Sequence, residues 1–194
     1  MLDSRSRQWV QPFFDRLAQL CMRCGVTPFA ATLAALALGV AAAWAVWAGH
    51  LLLGILLLWL SGLFDVLDGS IARLTGQSSA LGTLLDIVFD RVVEIMALLA
   101  VTLADPGLAI FTALVFASII LSMTVFLTVG AVAEKTGVKS FYYQPGLVER
   151  TEGFIMISLA IALPAWRVSV LVAFAVLILF TAGQRFAEAV KILK

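Results

Sequence analysis

Between residues 28 and 187 the chain runs through six apolar stretches separated only by short polar breaks. Their approximate bounds are 28–48, 51–73, 81–102, 108–132, 153–164 and 168–187. A run of about 20 apolar residues, each adding about 1.5 Å of helical rise, crosses the hydrocarbon core of a bilayer. That periodic alternation of grease and turn is what limits the possible folds. It predicts an all-α integral membrane protein with six transmembrane helices, forming one domain over residues 25–194. The composition agrees, with 62% hydrophobic and 13% charged residues. A net charge of +1 offers no field for a nucleic-acid partner, and none is expected.

The fifth run is short for a bilayer unless Glu152 and its neighbours line a cavity. The breaks carry turn formers: Gly25 and Pro28, His50, Gly76, Asp105-Pro106-Gly107, and Pro164. Residues 1–24 differ from the rest. Trp9, Phe13, Leu17 and Leu20 fall on one helical stripe, with Arg5, Arg7, Arg16 and Arg23 elsewhere. This predicts an amphipathic helix lying on an anionic membrane surface. Pro12 implies a kink, or a helix starting near residue 11. The flanks of a cleavable signal peptide are missing from the apolar segments. Cys21 and Cys24 lack the second ligand pair a metal site needs and read as two incidental thiols.

Lysine and arginine set the orientation. Of thirteen, only Arg167 falls on the side of His50 and Asp105. Both termini and the Arg73 loop are therefore expected on the cytoplasmic face.

Against this background four carboxylates stand out. Asp65 and Asp68 are three apart on the second run; Asp86 and Asp90 are four apart on the third. Each pair shares a helix face, so two packed helices would bring all four together. Acids inside membrane segments are costly and usually functional, and four in one place repel unless cations sit among them. Oxygen-only ligands suit magnesium or manganese, and two divalent ions balance four negative charges. Two-metal sites are typical of displacement at phosphorus. Arg73 adds a planar positive fork suited to phosphate, and Gly69, Ala72 and Gly82 leave room for a ligand near the backbone.

Asp65, Asp68, Gly69, Ala72, Arg73, Gly82, Asp86 and Asp90 together spell D-x2-D-G-x2-A-R-x8-G-x3-D-x3-D. This resembles the signature of the CDP-alcohol phosphotransferases, also called CDP-alcohol phosphatidyltransferases, with all eight defining positions present. The resemblance implies transfer of a substituted phosphate from a CDP-alcohol, often CDP-diacylglycerol, onto a second alcohol, with release of CMP. It implies that the four aspartates hold the two metals and that Asp90 is the general base, with Asp90 as covalent nucleophile the mechanistic alternative. It implies that Gly69, Ala72 and Gly82 wall the cytidine, with Arg73 near phosphate. At the start of the first span the family often reads Thr-Pro-Asn followed by Thr. Here Thr27, Pro28 and Thr32 fit and Phe29 replaces Asn, so Thr32 is the nucleotide-binding candidate there.

For the acceptor, the resemblance points to Lys139, Arg150 and Arg185. Members using inositol phosphate carry basic residues at the end of the fourth span, whereas Val129–Glu134 has none. Lys139-Ser140-Phe141-Tyr142-Tyr143 resembles a bacterial inner-membrane branch of the family. Phosphatidylinositol-phosphate, phosphatidylglycerol-phosphate and phosphatidylserine synthesis all remain open. A homodimer through membrane helices is also implied. A divalent-cation or proton-coupled transporter is the competing class. It leaves Gly69, Ala72, Arg73 and Gly82 without a role, and no half of the chain is duplicated.

Overall fold

The computed structural model describes residues 2–132 and 146–193, with side chains from residue 10 onward. Every regular element among them is helical. The helices are α1 (Leu2–Arg23), α2 (Pro28–Trp47), α3 (Leu51–Thr75), α4 (Ala80–Ala104), α5 (Ala109–Val132), α6 (Arg150–Ala162) and α7 (Arg167–Ile192). Short 3-10 turns at Pro106–Leu108 and Pro164–Trp166 lead into α5 and α7. Four of these segments are long and apolar enough to cross a membrane: α2, α3, and α5 and α7 with their 3-10 turns. Helix α4 has 25 residues but carries Asp86, Asp90, Arg91 and Glu94. Helix α6 has 13 residues. At about 1.5 Å each it is shorter than a hydrocarbon core.

Local chemistry sets the helix ends. Thr27 caps α2 by accepting from the Ala30 N–H at 3.2 Å, with Pro28 in the first turn. Ser79 does the same for α4, accepting from Gly82 N–H at 3.0 Å. Gly76 closes α3 at φ +68°, a left-handed conformation that side chains rarely adopt, and Gln77 N–H reaches back to the Ala72 carbonyl at 2.9 Å. Pro12 lies inside α1, which is one continuous helix rather than one starting near residue 11. A proline there costs one backbone bond without ending the helix.

The described residues divide into two compact units. In Ser6–Pro106, α2 packs against both α3 and α4. Small residues make this possible: Ala31, Ala35, Ala42, Ala43 and Ala45 are all buried. A β-carbon on Gly39 would overlap Val93 of α4, and one on Gly54 would overlap Val46 of α2. Ser61 donates across the helix contact to the Ala35 carbonyl at 2.6 Å. Helix α1 joins through Ala18, which packs with Ala31, Leu67 and Ile71.

The second unit combines Gly107–Lys194 with the first five residues. Its core is α5 and α6 against α7, around Val115, Ile157, Ile161, Leu171 and Phe174. The irregular segment before α6 is tied to α7: Leu147 N–H donates to Gln184 Oε1 at 3.2 Å and Val148 N–H to Thr181 Oγ1 at 3.0 Å. Glu149 and Glu152 form a reciprocal capping box at the start of α6. The Glu152 carboxylate therefore serves a helix end. Gly146 lies against Thr181, and a β-carbon there would overlap that side chain and come within 3.5 Å of Arg185 Nε. Gly146→Ala is expected to destabilise the protein by about 1–3 kcal/mol. A lower melting temperature in detergent checks this, and an unchanged one refutes the tight fit.

Candidate metal and phosphate site

The acidic motif sits on the facing ends of α3 and α4 in the first unit. Asp65, Asp68 and Asp86 each offer a carboxylate oxygen, and these atoms lie within 4.8 Å of one another. Asp68 is buried and the other two are half-buried. Unit charges about 4 Å apart repel by about 4 kcal/mol per pair in a near-surface medium. Three of them gathered this way fit a hard divalent cation, and the all-oxygen donor set fits magnesium or manganese rather than zinc or copper. Asp90 lies outside this group of three. It is half-buried, one turn beyond Asp86 on α4, or about 6 Å further along the axis.

The remaining motif residues lie on the same two helices. Gly69 follows Asp68, and a β-carbon on it would stand 3.3 Å from Arg73 Nη1, so the guanidinium lies back against the glycine. Arg73 Nη2 donates to Ser70 Oγ at 3.0 Å. Gly82 sits under the Ser79 cap, where a β-carbon would be 3.2 Å from Ser79 Oγ. Ala72 is half-buried on the same helix. Thr32 is buried on α2 and its hydroxyl donates to the Pro28 carbonyl at 3.0 Å, which leaves that oxygen's lone pairs as the group it can offer. Arg91 pairs with the buried Glu94 one turn on.

Two of the acceptor candidates, Arg150 and Arg185, belong to the other unit. Arg185 is buried, donates to Ser122 Oγ at 3.0 Å and lies over the Phe126 ring at 4.8 Å. Arg150 lies over Phe154 at 5.1 Å. Lys139 falls outside the described residues.

Several polar residues missed at the level of sequence take part in these contacts. Ser70 occupies a variable position of the motif, yet it is fully buried and receives Arg73. It also receives Gln11 Nε2 of α1 at 3.3 Å. Ser122 and Thr181 likewise bear on the second unit's polar contacts. Their only sequence signal was polarity within an apolar run.

A carboxylate cluster on two membrane helices, with an arginine on the same helix end, fits chemistry at phosphorus. The model of the CDP-alcohol phosphatidyltransferase family matches residues 26–190. A phosphatidylinositol phosphate synthase of Mycobacteroides abscessus is 35% identical over 159 residues, 78% of this chain and 69% of that protein. The inner membrane protein YnjF of Escherichia coli is 31% identical over 176 residues, 86% of this chain and 84% of that one. The fold is shared with the phosphatidylinositol phosphate synthase of Mycobacterium tuberculosis, solved with CDP-DAG bound (TM-score 0.74, 23% identity, 91% of this chain and 92% of that chain). That protein was also solved with manganese and citrate. The chain belongs to the CDP-alcohol phosphatidyltransferase family. It is an integral membrane enzyme of phosphatidyl transfer in phospholipid synthesis.

Proposed function

We propose that the chain uses CDP-diacylglycerol as its donor and moves the phosphatidyl group onto the hydroxyl of a small polar alcohol. The observation that carries this is the convergence of Asp65, Asp68 and Asp86 beside Gly69 and Arg73. The M. tuberculosis protein's CDP-DAG and manganese complexes support the choice of donor and metal class. In this reading Asp65, Asp68, Asp86 and Asp90 hold two divalent ions. When bound, such a pair offsets the diphosphate charge and eases departure of the CMP phosphate.

The protein's own groups do the rest. Gly69, Ala72, Gly82 and Thr32 shape the wall for the nucleotide, and Arg73 orients a phosphate oxygen through its planar fork. Asp90, at the edge of the carboxylate group, accepts the proton of the acceptor's hydroxyl. The acceptor oxygen forms a bond to the phosphatidyl phosphorus as the bond from phosphorus to the CMP oxygen breaks. Atoms balance with CMP as leaving group and the proton on Asp90.

Arg150 and Arg185, with Lys139, are assigned to the acceptor. A buried arginine on α7 suits an alcohol that carries a phosphate. The relatives named for inositol phosphate support this class, whereas the absence of lysine and arginine from Val129–Glu134 weighs against inositol phosphate itself.

For topology we take α2 to α7 as six crossings with both termini and the site on the cytoplasmic side, a reading the lysine and arginine distribution supports. Side chains of α7 satisfy the backbone before α6, which supports placing that short helix at membrane depth. Residues 1–24 are the interfacial segment and 25–194 the transferase domain. Small residues in α4 and α5 allow close approach of a second copy.

CMP release from CDP-diacylglycerol with Mg²⁺ or Mn²⁺ tests the function across glycerol phosphate, inositol phosphate, inositol and serine. One acceptor is expected to stimulate release, and only with metal. Folded protein that neither turns over nor binds nucleotide would refute the proposal.

A further inference from the structure

The hydrogen bonds around Arg73 reach further than the eight motif positions. Arg73 Nη2 donates to Ser70 Oγ at 3.0 Å, and Gln11 Nε2 of α1 donates to the same oxygen at 3.3 Å. Gln11 Nε2 also donates to Asp15 Oδ1 at 2.7 Å. Both hydrogens of the Gln11 amide nitrogen are used, so Asp15 decides which end of that amide faces Ser70. Both lone pairs of Ser70 Oγ are used, one by each helix. Ser70 is fully buried, so water does not compete at that oxygen. The other end of the Arg73 guanidinium rests against Gly69, immediately after the buried Asp68. An arginine at the exposed end of a helix has many rotamers of similar energy. Here the Ser70 bond and the Gly69 contact favour one that lies back along the turn carrying Asp68.

We infer that Gln11 and Ser70, with Asp15 orienting Gln11, are positioning residues that hold Arg73 for the donor's phosphate. The N-terminal helix is then part of the donor site, although it contributes none of the motif. This rests on the reading of Arg73 as a phosphate-binding group. The ligand class is the diphosphate of a CDP-alcohol.

The test measures the affinity of the purified full-length protein for CDP-diacylglycerol at saturating Mn²⁺, which needs no knowledge of the acceptor. Gln11→Glu keeps the size of the side chain, replaces both N–H donors with an oxygen acceptor and adds a negative charge. Gln11→Ala serves as a second variant should the new carboxylate beside Asp15 impair folding. Arg73→Ala is expected to weaken binding at least about tenfold. Gln11→Glu and Gln11→Ala are each expected to weaken it about 3- to 10-fold. Gln11→Glu combined with Arg73→Ala is expected to bind no more weakly than Arg73→Ala alone. That lack of additivity separates positioning of Arg73 from a general loss of α1 packing, which would add. Wild-type affinity in the Gln11 variants, with Arg73→Ala weakened, would overturn the relay and leave the Arg73 reading intact. Additive losses would overturn it as well. Wild-type affinity in Arg73→Ala would end that reading and the relay with it.

Discussion

Asp68→Asn is expected to lose metal-dependent CMP release by more than about 10²-fold, because groups that merely orient metal ligands already cost 10- to 100-fold when removed. Asp68 is the most buried of the three clustered carboxylates, and the substitution keeps its volume while removing its charge. The sharper readout is thermal. A ligand bound only by the folded state raises stability by about 2.7 kcal/mol at a hundred times its dissociation constant. Mn²⁺ is therefore expected to raise the wild-type melting temperature and to leave that of Asp68→Asn unchanged. If manganese stabilises both equally, Asp65, Asp68 and Asp86 are not the metal ligands. A control with Mg²⁺ in place of Mn²⁺ should rank the same way, since both are hard, oxygen-seeking ions.

Asp90→Asn separates chemistry from binding. A positioned general base contributes about 10²- to 10⁴-fold to a rate, so turnover should fall by that factor. Asp90 stands one turn away from the tight cluster, and affinity for CDP-diacylglycerol is expected to change little. Turnover within tenfold of wild type would remove Asp90 from the role of base. A loss of donor affinity equal to the loss of rate would make it chiefly a binding ligand. Running both aspartate variants side by side therefore separates the ion holding that Asp68 and Asp90 share in this reading from the proton transfer assigned to Asp90 alone.

Much of this was legible before any coordinates. The apolar run at 51–73 became Leu51–Thr75 and the run at 81–102 became Ala80–Ala104, because an unbroken apolar pattern between turn formers leaves the backbone little choice. The i, i+3 spacing of Asp65 and Asp68 placed them on one face, and the structure gathers both with Asp86. Other features depended on distance in space. Gln11 and Ser70 are 59 residues apart, and no local periodicity links them. Glu152 read as a charge that could line a cavity, and its part in a capping box with the glutamate three residues before it is a local role the apolar pattern did not show. Pro12 suggested a break, but a single missing N–H does not outweigh the packing that holds α1 along Ala18 and its neighbours. The span count is the clearest case. Hydropathy alone credits α2, α3, α5 and α7, because charged residues dilute α4 and α6 is short.

Helix α2 has a consequence for how this chain tolerates change. It touches both partners of the acidic pair through alanine, glycine and small hydroxyl contacts, with Gly39 directly against Val93 and Ser61 of α3 bonded to its backbone. A surface built this way has little to lose by trimming and much to lose by enlargement. Drift at its buried positions is therefore directional: alanine to glycine is a small step there, and alanine to leucine wedges two helices apart. The aspartates of α3 and α4 need not be touched for such a wedge to reach them. The low-complexity appearance of residues 30–45, which looks permissive on the page, conceals one of the least permissive faces of the molecule.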